Sequence, residues 1–160
     1  MKKNNMRLSH NLTLSEMTKS STAQRKGLDN SPTTAHITHM VVLAAEIFQP
    51  IREHFNKPLY ISSGYRSKAL NKAIGGSTKS QHSRGQAIDI DMDNRDGPTN
   101  REIFDFIADN LDFDQLIWEF GTDKDPNWVH VSYNPDLSEQ RNRILRAIRT
   151  NGRTTYEEIT

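Results

Sequence analysis

The chain has 160 residues, which fits one domain, and its 34% hydrophobic residues allow a core of modest size. A formal net charge of +1 gives no support to a protein built to bind nucleic acid or a membrane surface. Because the chain has no cysteine, disulfides, thiolate metal sites and cysteine nucleophiles are excluded. Any metal must therefore be held by histidine and carboxylate.

Residues 1–11 are predicted to be a flexible amino-terminal segment. The basic start, Met1-Lys2-Lys3, has no apolar run behind it, so we predict no secretory signal peptide. No apolar stretch is long enough to span a bilayer, and we expect no membrane insertion. The protein is thus expected to be made in the cytoplasm, and another protein must release it if it acts outside.

The first long helix is predicted to begin at Asn30-Ser31-Pro32, a cap followed by proline. Apolar residues at helical spacing continue it to Ile51, and Pro50 should kink or shorten it near its end. A short strand over residues 59–61 and a short helix over residues 67–74 are predicted next.

Alternating apolar and polar residues predict a strand over residues 86–92. Thr99 and Glu102 resemble a capping box at the start of the next helix. Strands are then predicted over 115–120 and 128–133, and a last helix over 137–150. This order predicts a single-domain α+β fold with a mainly antiparallel sheet and flanking helices.

The last segment, residues 136–160, is predicted to be a basic helix and tail outside the domain formed by residues 12–135. Its arginines interleave with isoleucine and leucine, which favours a solvated helix face. A weak anchor for an anionic surface such as a cell wall is the alternative. The arginines concerned are Arg141, Arg143, Arg146, Arg149 and Arg153.

Three residues form a candidate metal site. His82 lies in a glycine-bearing loop, seven residues before Asp89 on the polar face of its strand. His130 lies on the polar face of the strand over residues 128–133. Two histidines and one carboxylate are a known ligand set for catalytic zinc and leave one coordination position open. An exposed strand histidine is the alternative interpretation of His130.

Glu119 and Arg66 are candidate catalytic residues. If the strands over 115–120 and 128–133 pair with matching apolar faces, Trp118 opposes Val131 and Glu119 falls across from His130. A carboxylate there could serve as general base, and a surface glutamate is the alternative. Arg66, at a strand end, could bind a substrate carboxylate or stabilise an oxyanion, or be an exposed loop arginine.

Taken together, these motifs resemble the zinc D-Ala-D-Ala carboxypeptidase family, peptidoglycan peptidases that include phage endolysins and share a fold with the hedgehog amino-terminal domain. The resemblance covers about residues 12–135 and implies Zn²⁺ on His82, Asp89 and His130, with Arg66 oriented toward the substrate. The motifs that carry it are Ser62-Ser63-Gly64-Tyr65-Arg66-Ser67, Asn71, Gly75-Gly76, the segment 80–89 and Trp128-Val129-His130.

The chain departs from the family pattern at one point. Members often carry a catalytic glutamate three positions before the last zinc histidine, or a histidine two positions before it. Here these positions hold Asn127 and Trp128, and neither side chain can act as a base. The resemblance leaves the base open, so the assignment of Glu119 rests on the strand register alone.

The sequence therefore predicts a zinc peptidase that cuts peptidoglycan stem peptides, as a carboxypeptidase or an endopeptidase. Ser80 and Trp128 are expected to contact the substrate. We expect a monomer of phage type, virion-associated or released by a holin, with no nucleic-acid partner. The chief alternative is a zinc-binding module of the same fold without turnover. A DNA-associated protein built on the late arginines is a more distant one.

Overall fold

Strands form the centre of the computed structural model, which describes residues 5–160. Within these residues, β1 and β2 form a small antiparallel ribbon, and six strands form one sheet in the order β3–β4–β6–β5–β7–β8. All neighbours in the sheet are antiparallel except β5 and β7, which are parallel. The predicted α+β fold with a mainly antiparallel sheet is confirmed. The strands are β1 (Arg7–Ser9), β2 (Leu12–Thr13), β3 (Ile61–Ser63), β4 (Ala87–Ile90), β5 (Gln115–Glu119), β6 (Trp128–Ser132), β7 (Arg143–Thr150) and β8 (Arg153–Glu158).

Helices pack against one face of the sheet. Apolar side chains of β4, β5 and β6 form one buried cluster with those of the helices over residues 14–18, 34–55 and 100–110. Alternation along each strand leaves the other face to Asp89, Glu119 and His130. The helices are α1 (Leu14–Thr18), α2 (Ser21–Lys26), α3 (Thr34–Leu43), α4 (Gln49–Phe55), α5 (Lys68–Ala73) and α6 (Asn100–Asn110), with a π-helical segment over Ala44–Phe48 and 3₁₀ turns over Gln81–Arg84 and Leu137–Glu139.

The first long helix begins later than predicted. Its cap is Thr33 instead of Asn30, and the Thr33 hydroxyl accepts from the backbone N–H of His36. The disturbance expected near Pro50 is present as the π-helical turn directly before α4. Proline has no N–H to donate into the preceding turn, which explains a local change of helical pitch. The helix nevertheless continues to Phe55.

The predicted carboxy-terminal helix over residues 137–150 is wrong. Residues 143–158 form the hairpin of β7 and β8, which belongs to the central sheet. Leu145 and Ala147 are buried on one face of β7, while Ile144 and Ile148 are half-buried on the other. Asn151-Gly152, both with positive φ, form the turn, as expected for a two-residue hairpin loop.

The amino-terminal prediction is wrong in part as well. Arg7–Ser9 pairs with Leu12–Thr13 instead of being flexible, and Leu8 is buried. Thr13 then caps α1 in a capping box with Glu16. Residues 1–4 of the predicted flexible segment lie outside the described residues.

Candidate metal centre

Two of the three candidate ligands are direct neighbours across the sheet. Asp89 on β4 opposes His130 on β6 in the antiparallel ladder. Opposed side chains lie on the same face, and His130 Nδ1 is 2.9 Å from Asp89 Oδ1. Ile88 and Ile90, fully buried on the core side, each stabilise β4 by about 1.5–3 kcal/mol. The strand that carries Asp89 is therefore firmly held.

The third candidate ligand comes from the loop before β4. His82 lies in the 3₁₀ turn Gln81–Arg84, which Gly85 ends with a φ of 72°. A Cβ on Gly85 would lie 2.5 Å from the carbonyl oxygen of His36, so only glycine fits there. This close approach brings His82 Nε2 to 3.2 Å from Asp89 Oδ1.

The tautomer of His82 follows from its other nitrogen. Nδ1 is 2.7 Å from the carbonyl oxygen of Gly64 and must donate, since a carbonyl only accepts. In the neutral ring, Nε2 then presents a lone pair to the Asp89 carboxylate. A metal ion bound by the imidazole and the carboxylate fits this pair of acceptors, which are 3.2 Å apart.

The protonation states also suit a metal. Burial lowers the pKa of His82 more than the neighbouring Asp89 carboxylate raises it. Burial works against ionisation of Asp89, but its contacts with His82 and His130 outweigh burial and hold its pKa well below the usual range. Divalent metals bind neutral imidazole and ionised carboxylate.

One ligand atom from each of these residues lies within 4.8 Å of the others. The structure thus brings His82, Asp89 and His130 together as a possible metal site, and the set of two histidines and one carboxylate is typical of catalytic zinc.

Arg66 lies beside the metal site and contacts one of its ligands. Its Nη2 donates to Asp89 Oδ2 at 3.2 Å, and its Nε donates to Ser63 Oγ at 2.8 Å. The guanidinium lines the same cleft as the three candidate ligands. It therefore orients the second carboxylate oxygen of Asp89 and reaches the cleft with its remaining N–H groups.

The register predicted for Glu119 is wrong by two residues. Ile117 opposes His130, and Glu119 opposes Trp128. Matching apolar faces determines only which side each residue occupies, because side chains repeat every two residues. The turn after β5 sets the register, since Phe120 and Gly121 both have positive φ and the backbone N–H of Asn127 donates to the carbonyl of Glu119.

Glu119 nevertheless lies on the face of the metal site. It is diagonal to His130 across the strand pair and lines the same cleft. Glu119 is only 8% exposed, and this burial raises the pKa of its carboxyl to about 7. His130 and the Arg66 guanidinium oppose this rise, and the Asp89 carboxylate adds to it. A carboxyl with this pKa can exchange protons near neutral pH.

The cleft over the metal site has a volume of about 1170 Å³. Ser80 and Trp128, predicted to contact substrate, both line it.

Sequence analysis missed Asp114, which is fully buried. Asp114 accepts hydrogen bonds from Gln81, the residue next to His82, and from Arg141. No sequence pattern singles out Asp114, since its role depends on partners far away along the chain.

Sequence analysis also missed the cleft wall formed by β7 and β8. Leu145, Thr154 and Tyr156 all line the cleft. The sequence did contain a signal for this hairpin, since Asn-Gly between alternating residues is typical of a tight β-turn.

Among residues 5–160, no helix combines the length and apolar character that crossing a membrane requires.

Comparison with known families agrees with this geometry. A family model described as peptidase M15 matches residues 10–132, which include the three candidate ligands, Arg66 and Glu119. No curated protein matches the chain. The family match confirms the resemblance inferred from the motifs. The chain therefore belongs to the peptidase M15 family, that of the zinc D-Ala-D-Ala carboxypeptidases.

Proposed function

We propose that this protein is a zinc-dependent peptidase that hydrolyses peptide bonds in peptidoglycan stem peptides. One observation carries the proposal: His82, Asp89 and His130 converge at an open cleft whose wall also holds Glu119. Membership of the peptidase M15 family supports a metallopeptidase, and the ligand set favours zinc.

The residues of the cleft account for the proton transfers that hydrolysis needs. Zinc held by the three ligands supplies Lewis acidity toward the scissile carbonyl and the attacking water. Glu119 accepts a proton from the water as its oxygen bonds to the carbonyl carbon, and it returns the proton to the amine nitrogen as the C–N bond breaks. Burial of Glu119 in the cleft raises its pKa, which strengthens the carboxylate as a base. Arg66 keeps the Asp89 carboxylate oriented during turnover.

Basic and acidic side chains both line the cleft. The basic ones are Arg66, Lys79, Arg84, Arg141 and Arg143, and the acidic ones are Asp89, Asp114, Glu119 and Glu139. Asp89 and Asp114 are already paired with Arg66 and Arg141, which leaves Lys79 and Arg84 to bind a carboxylate of a stem peptide. We further propose a monomer that reaches the wall from a virion or through a holin, with no nucleic-acid partner.

Digestion of purified cell walls tests the proposal. The zinc-loaded protein should release fragments that mass spectrometry assigns to one bond type. Free D-alanine would indicate a carboxypeptidase, and cleaved cross-links an endopeptidase. Glu119→Ala should abolish release while zinc content stays unchanged. Glu157→Ala, an exposed glutamate on β8, is the matched control and should keep full activity.

The alternative function is a zinc-binding module without turnover. It predicts that the wild-type protein binds zinc and cell walls but releases no fragment from walls of any stem-peptide composition. That result would overturn the proposed peptidase.

A further inference from the structure

The sheet continues past Glu119 into the β7–β8 hairpin, which lies beyond the residues matched by the family model. Glu119 on β5 pairs with Ala147 on β7, and Ala147 pairs with Tyr156 on β8. These three residues form one row across the sheet. Directly opposed side chains lie on the same face, so Tyr156 shares the face of Glu119 and the candidate ligands.

Ala147 leaves room for the ring of Tyr156 on the cleft face of the sheet. The backbones of β5 and β8 are two strand spacings apart, or about 10 Å. Ala147, between them, is 1% exposed and has only a methyl side chain. A phenol ring on β8 can therefore lie over it, and Tyr156 does line the cleft together with Glu119.

The phenol is a hydrogen-bond donor that senses the charges of the site. Tyr156 is 56% exposed. Partial burial raises the pKa of its hydroxyl, and the negative charges of Glu119 and Asp89 raise it further. The hydroxyl therefore keeps its proton at neutral pH and lies within electrostatic reach of both carboxylates.

A donor on this side of the cleft complements Arg66. Two N–H groups of Arg66 are engaged by Asp89 and Ser63, at the β3 end of the sheet. A peptide bound over the metal site would have Arg66 on one side and Tyr156 on the other, toward β8. A neutral donor there can stabilise charge that develops on the carbonyl oxygen during attack.

We propose, on the basis of the peptidase function above, that Tyr156 contacts the substrate and donates a hydrogen bond to the scissile carbonyl oxygen as it becomes tetrahedral. The hairpin thus supplies a catalytic residue from outside the matched part of the chain.

Tyr156→Phe tests the proposal, with Thr155→Val as the matched control. Both changes remove one hydroxyl from β8, but Thr155 is on the opposite face of the strand. Tyr156→Phe should lower kcat/KM for a stem peptide by about 10- to 100-fold, mainly through kcat. Affinity for a phosphinate analogue of the peptide should fall by a similar factor, because such an analogue mimics the tetrahedral state. Thr155→Val should change neither quantity, and zinc content should be unchanged in both variants.

The outcomes separate this inference from the proposed function. If the wild-type protein cleaves the peptide and Tyr156→Phe has unchanged kcat/KM, the role of Tyr156 is overturned and the peptidase function stands. Equal losses in Tyr156→Phe and Thr155→Val would indicate a merely structural effect and overturn it too. A wild-type protein that neither cleaves the peptide nor binds the phosphinate would overturn both proposals.

Discussion

Replacing Glu119 by glutamine should remove a pH-dependent loss of stability from the metal-free protein. Burial raises the pKa of Glu119 from 4.5 to about 7, so the folded state holds this proton more tightly than the unfolded state. The free energy of unfolding is therefore highest below pH 4.5, falls as the pH rises toward 7, and levels off above that. At about 1.36 kcal/mol per pKa unit, the full loss is about 3 kcal/mol.

Urea unfolding in the presence of a chelator measures this effect. As the pH rises from about 5 to about 8, the free energy of unfolding of Glu119→Gln should increase by about 2–3 kcal/mol relative to that of wild type. Burial lowers the pKa of His82, but His82 is common to both proteins, so its contribution largely cancels in the difference. Glu157→Gln, an exposed carboxyl on β8, should show no such gain.

The same unfolding experiment can be repeated with saturating zinc. A cation held by the three ligands favours the ionised form of the neighbouring Glu119, so saturating zinc should suppress the pH-dependent difference between wild type and variant. If wild type and Glu119→Gln instead follow parallel pH profiles without metal, Glu119 is not desolvated in the cleft. Its assignment as general base would then lose its physical basis.

Three further substitutions test the metal centre and its supports. Asp89→Asn should weaken zinc binding by at least about 100-fold in a chelator competition, and unchanged affinity would exclude Asp89 as a ligand. Gly64→Ala places a Cβ 2.4 Å from the carbonyl oxygen of Met17, and moving Gly64 displaces the carbonyl that orients His82. It should lower the free energy of unfolding by about 1–3 kcal/mol, and a wild-type Tm would contradict this packing. Asp114→Ala leaves Gln81 and Arg141 without their hydrogen-bond acceptor. It should lower the free energy of unfolding in urea by about 1–3 kcal/mol. An unchanged free energy of unfolding would show that this network does not form in solution.

The composition of the candidate site could be predicted from local patterns. The period-2 alternation around Asp89 and His130 places both side chains on the polar face of their strands, and the structure brings them together there. Glu119 is on the same face for the same reason. Thr99 and Glu102 form the capping box that their spacing predicts. These features need only neighbours within a few residues.

Other features depended on partners far along the chain. The register of Glu119 followed from the positive-φ turn after β5, and alternation alone allows any shift of two residues. The spacing of Ile144, Leu145 and Ile148 fits both a helix and a strand. Parallel pairing of β7 with β5 decides for the strand, and that contact joins residues about thirty positions apart.

The sequence by itself determined which residue types could hold a metal and on which face of each strand they lie, because side-chain direction follows from the backbone period. Only the tertiary structure decided how far Glu119 lies from His130, that Arg66 contacts Asp89, and that Tyr156 reaches the cleft. These arrangements depend on strand pairing and burial, which arise from the packing of the whole chain.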